Sequence, residues 1–437
     1  MLVTADWVLP IDAAPIRRGG VLVRNGRIAE VGPADRLSRL ERVAHVDFAG
    51  CAMVPGLVNA HTHLSLAALG GLLPSSDFAT WLIRVVPLIA ALDEDDMATS
   101  AALGALRCLQ SGITVAGDIA YGPEALAAAA DMGLGGVYFW EAFGIPASEL
   151  SDMLDRAEFP HGQSKAKWVR ARVGISPHTA YTSGPELLRA VAALAREGGY
   201  PLAVHVAESL AETRLFREGA GPLAAVAERL ADGFEPPHLS PVAYLARLGV
   251  LDDALAVHCV HLGHGDVHTL AQRVRGVALC PLSNAFLHNG YPPVDALARE
   301  KVAIGIGTDS SASNEGIDLF AEARALRDIA PALPPERLLR MMTLEGAVAL
   351  GVEASFGSLA VGKQADLALV RIGDADDPVR ELIDSGAPAS VEAVMSAGVW
   401  RMRGGRPAFN EVPVESAGRQ VTDKVSAAKG AWEPGGV

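Results

Sequence analysis

Between residues 56 and 309 the chain repeats one pattern, a short and nearly continuous apolar run followed by a longer stretch with apolar residues at helical spacing. Eight runs occur: GLVNAH (56–61), ITVAGDI (113–119), GGVYFWE (135–141), VRARVGIS (169–176), PLAVHVAE (201–208), ALAVHC (254–259), GVALCP (276–281) and VAIGIGTD (302–309). Helical spacing is plain in PELLRAVAALAREG (185–198), and PERLLRMMTLEGAVALG (335–351) follows the eighth run. Strands that are apolar throughout, alternating with helices, predict a parallel sheet covered on both faces. Eight repeats predict an α/β fold of the closed (β/α)8 kind, a TIM-like barrel. A doubly wound open sheet is the alternative, but no GxGxxG follows the first run.

Both ends of the chain read differently. VLVRNGRIAEVG (21–32) alternates apolar and polar residues around Asn25-Gly26, a hairpin signal. The same texture returns in GSLAVGKQADLALVRI (357–372) and VEAVMSAGVWRMRGGR (391–406). These segments predict a small β-sandwich domain formed from both termini. The expected organisation is residues 1–54 and 355–415 for that domain, 55–354 for the barrel, and 416–437 as a frayed polar tail.

Composition narrows the class. Half of the 437 residues are apolar and 20% are charged, which excludes a disordered chain. A formal charge of −14 argues against a nucleic-acid surface. No apolar run reaches the ~18 residues needed to span a bilayer, and the start MLVTADWVLPID lacks a basic leader. Cys51, Cys108, Cys259 and Cys280 have no CxxC spacing, as in a reduced compartment. The expectation is a cytoplasmic enzyme with a small-molecule substrate, no nucleic-acid or membrane partner, and a homodimer as the common default.

Candidate chemistry concentrates where barrel strands end, which is where the active site of such a barrel lies. The first run ends in His61-Thr62-His63, the fifth in His205 with Glu208 three residues on, the sixth in His258 and the eighth in Asp309. Residues two apart on a strand share a face, so both imidazoles of the HxH can enter one mouth. Taken singly, each has a structural explanation: a hydrogen-bonded core histidine, or an aspartate capping a helix. Their convergence at predicted strand ends is hard to explain by packing, because buried ionisable groups are costly unless paired. Imidazoles with a carboxylate suit one divalent metal ion, Zn2+ or Fe2+.

PGLVNAHTHLSL (55–66), HVAES (205–209), HCVHL (258–262), CPLSNAFLHNG (280–290) and GIGTDSSASN (305–314) together resemble the amidohydrolase superfamily, in its deaminase and chlorohydrolase branch. The resemblance implies one metal, with zinc expected first, held by His61, His63, His205 and Asp309. It implies that Asp309 takes a proton from the attacking water, Glu208 protonates a ring nitrogen, and His258 orients the attacking oxygen. Binuclear relatives carry a lysine at the end of the fourth strand. Here that place reads Gly174-Ile175-Ser176-Pro177-His178, which favours a mononuclear site.

Substrate contacts are expected from Trp81 in DFATWL, Glu141 at the end of the third run, His178, Ser283 and Asn284. Each has a plainer alternative: packing for Trp81, a structural hydrogen bond for Glu141, a turn for Ser283 and Asn284. His261, His264 and His268 are expected to decorate a loop and helix start. Deaminases of S-adenosylhomocysteine and adenosine in this branch carry a carboxylate after the WL…P segment, where this chain has Ile89, Ala90 and Ala91. They also carry arginines that hold an amino-acid tail, whereas Arg156, Arg170 and Arg172 lack a matching context here. DFATWL (77–82) and WEAFG (140–144) are more similar to the aminofutalosine deaminases. The first expectation is therefore deamination of an aminopurine nucleoside, aminofutalosine to futalosine. The alternatives are deamination of S-adenosylhomocysteine, 5′-methylthioadenosine or adenosine, an amino- or chlorohydrolase of triazines or pyrimidines, and a non-catalytic scaffold. The complete ligand set speaks against the last.

Overall fold

The computed structural model describes residues 1–40, 43–158, 170–231 and 233–430. Residue 169 of the fourth run, residues 431–437 of the expected tail and the Arg156 side chain lie outside that description. Sixteen strands occur among the described residues. The eight central ones are β5 (Leu57–Thr62), β6 (Ile113–Ala120), β7 (Gly135–Glu141), β8 (Ala171–Ser176), β9 (Ala203–Val206), β10 (Leu255–His258), β11 (Gly276–Leu279) and β12 (Ile304–Ile306). All eight expected runs thus contain a strand, and helices separate them.

The eight pair in parallel as two arcs, β5-β6-β7-β8 and β9-β10-β11-β12. Isolated parallel bridges span both seams, Ile175 to Leu202 and Thr179 to His205 at one and Thr62 to Asp309 at the other. Alternation sorts strand residues into two buried apolar groups. Leu57, Ile113, Tyr138 and Val204 pack with the helix layer. Val58, Val115, Val137, Phe139 and Val257 form the other. A parallel strand must be apolar on both faces for this arrangement, which explains the unbroken runs.

The ends of the chain share one eight-stranded sheet, ordered β16-β15-β14-β13-β4-β1-β2-β3. Its strands are β1 (Leu2–Val8), β2 (Ile16–Arg24), β3 (Arg27–Pro33), β4 (His45–Pro55), β13 (Leu367–Arg371), β14 (Val391–Ser396), β15 (Val399–Arg403) and β16 (Arg406–Pro407). Asn25 and Gly26 turn between β2 and β3 with φ of 49° and 73°, the left-handed geometry that an Asn-Gly hairpin supplies. The sheet curls on itself: Val3, Val21 and Phe48 join Leu367, Leu369 and Met395 in one buried cluster, and the Phe48 and Trp400 rings lie 5.5 Å apart. Arg170, at the entrance to β8, ties the barrel to this sheet through two bonds to Asp366, at 2.8 and 2.7 Å.

One expectation fails. Residues 412–430 are a helix, Val412–Gly430, not a frayed tail. Val421 and Val425 are buried against Leu66, Leu69, Val85 and Leu88, and the Thr422 hydroxyl donates to the Ala68 carbonyl at 2.8 Å. Its apolar stripe is sparse, with Val414, Val421 and Val425 among alanines and charges. The helix is held by tertiary packing more than by its own amphipathicity. No helix among the described residues is long and apolar enough to cross a membrane.

Candidate active site

Six polar side chains meet at the C-terminal ends of four strands. His61 and His63 come from the end of β5, His205 and Glu208 from β9, His258 from β10 and Asp309 from just past β12; all are 8% exposed or less. The approach of β12 to β5 depends on Gly307, where a Cβ would lie 2.8 Å from the His61 carbonyl oxygen. The Thr308 and Asp309 amides both donate to that oxygen at 3.0 Å. Ala207, His258, Cys259 and Asp309 adopt φ of 52°, 73°, 50° and 57°. Left-handed backbone costs a non-glycine residue about 1 kcal/mol or more, and such residues collect where side chains must be aimed.

The imidazoles pack edge and face. Ring centroids of His61 lie 5.0 Å from those of His63 and His205 and 5.6 Å from His258. Asp309 Oδ1 is 3.3 Å from His61 Nε2 and 3.5 Å from His63 Nε2. Asp309 Oδ2 accepts from Ser283 at 2.5 Å and Ser313 at 3.1 Å, which leaves Oδ1 facing the histidines. His205 Nδ1 lies 3.0 Å from the His178 carbonyl and donates to it, so Nε2 keeps its lone pair. Burial, then the charge of His61, holds His63 down to about 3, so its ring is neutral at pH 7.

Both nitrogens of His61 and Nδ1 of His63 are buried without a hydrogen-bond partner. Unsatisfied buried polar atoms cost about 1–3 kcal/mol each, and neutral imidazoles beside a carboxylate fit a divalent cation that removes this cost. Ligand atoms of His61, His63 and Asp309 lie within 4.8 Å of one another, as do those of His61, His205 and His258. The donor chemistry of this cluster fits a divalent metal ion.

Across from it, Glu208 Oε1 lies 3.7 Å from His258 Nε2 and accepts from Asn289 at 3.3 Å. Burial, with Asp309 and Glu212 adding negative charge, pushes Glu208 well above the carboxylate range. His258 Nδ1 donates to Asn284 Oδ1 at 3.2 Å, which turns Nε2 toward Glu208.

The expected substrate contacts divide. Glu141 and His178 sit together beside His205. Glu141 Oε1 is buried without a partner, and burial pushes its carboxyl up to about 8. His178 (φ 61°) bonds Thr182 at 2.7 Å and meets the half-exposed Phe143 ring edge-on at 5.4 Å. Ser283 and Asn284 are engaged with Asp309 and His258, as described. The half-buried Trp81 donates its indole N–H to the Ala312 carbonyl at 2.9 Å, tying its helix, Phe78–Ala90, to the loop after β12. His268 lies exposed beside Glu300, away from the cluster.

Among the described residues, three buried carboxylates that hold backbone beside the site are absent from the sequence-derived candidates. Asp118 at the end of β6 accepts the Leu64 amide at 2.7 Å, next to His63. Glu212 accepts the Ala207 and Glu208 amides at 3.1 and 2.8 Å. Glu322 accepts the Leu282 amide at 3.0 Å and the Asn314 side-chain amide at 2.6 Å. Each holds backbone beside a site residue. Asp118 closes an apolar run and Glu212 lies four residues past Glu208, so both had a positional signal; Glu322, on a helix in LFAEARALRDI, had none.

A sequence model of the amidohydrolase family matches residues 52–401. A 5-methylthioadenosine/S-adenosylhomocysteine deaminase from Symbiobacterium thermophilum is 31% identical over 394 residues, 86% of each chain. A 5′-deoxyadenosine deaminase from Methanothermobacter thermautotrophicus is 31% identical over 426 residues, 93% of each chain. The crystal structure of an adenosine deaminase from Xanthomonas campestris with bound zinc superposes with a TM-score of 0.84 at 28% identity, covering 98% of both chains.

Proposed function

The chain belongs to the amidohydrolase family and is a metal-dependent hydrolytic deaminase; from that premise we propose that it removes the 6-amino group of an adenine nucleoside as ammonia. The carrying observation is the buried pair Glu208–His258, 3.7 Å apart, facing the cluster of His61, His63, His205 and Asp309. The four cluster residues would hold one divalent ion, zinc first, as the zinc-bound adenosine deaminase supports. Such an ion lowers the pKa of a bound water toward neutrality.

The chain's own groups then divide the proton work. Glu208, kept protonated by burial, donates to the ring nitrogen beside the amino-bearing carbon and makes that carbon electrophilic. Asp309 accepts a proton from the attacking water while Ser283 and Ser313 fix its other oxygen. His258, set by Asn284, steadies the incoming oxygen. As the carbon–nitrogen bond breaks, Asp309 returns its proton to the departing amine and Glu208 regains one from the new hydroxyl. Water and the amino nucleoside become ammonia and a ring carbonyl.

For the sugar, Glu141 and His178 offer an acceptor and an adaptable imidazole at the mouth, while Ile89, half-buried, supplies no carboxylate. Relatives named for 5′-modified adenosines support that class. Among the described residues the arginines considered for an amino-acid tail are engaged elsewhere, Arg170 with Asp366 and Arg172 with the Gly351 carbonyl. That disfavours S-adenosylhomocysteine and leaves aminofutalosine, which the DFATWL and WEAFG segments favour, as the finer reading.

Ammonia release tests both levels. The panel is aminofutalosine, adenosine, 5′-methylthioadenosine, S-adenosylhomocysteine, guanine, cytosine and a triazine. Adenine nucleosides should exceed the free bases and the triazine by ~100-fold or more in kcat/KM, the scale that a site built around a missing polar partner can discriminate. Preference for a base or triazine would overturn the nucleoside reading; preference for another nucleoside would remove only aminofutalosine.

A further inference from the structure

We propose that Glu212 is the positioning residue for Glu208, its carboxylate gripping the backbone that aims the proton-carrying side chain; this rests on the proton role given to Glu208 above. Glu212 lies in the first turn of the helix Leu210–Glu218, whose N-cap Ser209 accepts the Glu212 amide at 3.2 Å. In an ordinary capping box, the glutamate three residues past the cap reaches back to the cap's own amide. Here it reaches further. Oε1 takes the Ala207 amide at 3.1 Å and Oε2 the Glu208 amide at 2.8 Å. One carboxylate therefore brackets the peptide unit from which the Glu208 side chain departs.

Those amides need the partner. Ala207 has φ of 52°, so the chain leaves β9 through a left-handed residue, and the strand ladder cannot continue past Val206. The Ala207 carbonyl in turn accepts the Val260 and His261 amides at 2.9 and 2.8 Å, just beyond His258. The backbones of Glu208 and His258 are thus linked through the residue that Glu212 holds. Glu212 is 1% exposed, and its two oxygens are both used. A surface cap worth only helix stability would not require such burial, nor a bond to each of two successive amides.

The test uses the full-length, metal-loaded protein with its best substrate from the panel above. In Glu212→Gln only one side-chain atom can accept, so one of the two amides loses its partner. kcat should fall ~10–100-fold, the range seen when a group supporting a site residue is removed. KM, metal content and the melting cooperativity should stay near the parent's. Glu212→Asp retains both oxygens on a shorter arm and should recover part of kcat, which a role limited to burying charge would not produce.

Parent-like kcat in Glu212→Gln overturns the proposal. So does loss of metal in step with activity, or no recovery in Glu212→Asp. If Glu212→Ala fails to fold, the two conservative variants still decide. Failure of the underlying reading is a separate result, seen in the parent enzyme as no ammonia from any adenine nucleoside.

Discussion

At the barrel mouth, six ionisable side chains from four strands crowd into a buried space, His61 and His63 with ring nitrogens that have no hydrogen-bond partner, on backbone that turns left-handed at Ala207, His258, Cys259 and Asp309. In the terminal sheet, a similar number of strands bury Val3, Val21, Met53, Leu367 and Met395, and the ion pair beneath it, Arg170–Asp366, is doubly bonded. Both regions are strand-built and buried. The sheet is held by apolar packing and a paired charge, whereas the mouth holds unmet hydrogen-bonding capacity of the kind a metal and a substrate would complete. Stability and activity should therefore separate between them, and variants can test that separation.

The largest effect belongs to Glu208. Glu208→Gln should reduce turnover by ~10²–10⁴-fold, the usual contribution of a positioned acid. Metal content should not change, and the melting temperature should hold or rise, because a carboxylate pushed up by burial is removed. Ammonia assays, metal analysis and calorimetry on one preparation check all three. Undiminished turnover would break the assignment of the mouth's proton chemistry.

Asp309→Ala should behave differently, because Asp309 faces His61 and His63 directly. Metal affinity should fall by more than ~100-fold, beyond what supporting residues cause, and activity should fall with it. Chelation of the parent should lower its melting temperature, since a ligand at ~1,000 times its Kd adds about 4 kcal/mol to the folded state. A stoichiometry of two ions per chain would contradict the mononuclear reading.

The terminal sheet supplies the converse. Arg170→Ala leaves Asp366, 5% exposed, with the Ala397 amide at 2.9 Å as its one hydrogen-bond partner among the described residues and the Arg401 charge nearby. Breaking a buried pair from one side costs about 3–5 kcal/mol, so denaturant unfolding should shift strongly. kcat per folded molecule should remain within about twofold, in keeping with additivity for distant sites. A parallel loss of kcat would show that the sheet is coupled to the mouth.

How much of this could be read from the sequence follows the same division. The eight apolar runs and the Asn25-Gly26 turn report short-range rules of pattern and turn chemistry, and the structure follows them. His61, His63, His205, His258 and Asp309 were legible because strand ends are positions a pattern can locate. What was hidden depended on tertiary contact. The roles of Ser283 and Asn284 in fixing Asp309 and His258 depend on neighbouring strands 26 residues away. The helix Val412–Gly430 forms because Val421 and Val425 find Leu66 and Leu88, partners more than 300 residues distant. The sequence context gives Arg170 no tail-binding role, and its actual partner, Asp366, lies 196 residues on, beyond the reach of any local pattern.

The smallest effect expected is a pH dependence, and Glu322 isolates it because it touches neither the metal cluster nor substrate groups. It is fully buried, and burial, partly offset by the Leu282 and Asn314 bonds, raises its carboxyl from an ordinary 4.5 to about 8. The unfolded chain releases this proton near 4.5, while the folded chain keeps it until about 8. Between those values the folded state binds more protons, so stability falls as pH rises. The contribution is fully present below about 4.5 and is lost as pH passes through about 8. Glu322→Gln cannot ionise. The melting temperature of the parent minus that of the variant should therefore drop by a few degrees from pH 5 to pH 8, a shift of about 3 kcal/mol for a chain this size. A flat difference would mean that the two hydrogen bonds to Glu322 keep it ionised throughout. The loop after β11 would then be held by a charged anchor of the same kind as Asp366, and the mouth would resemble the terminal sheet more closely than its unpaired histidines suggest.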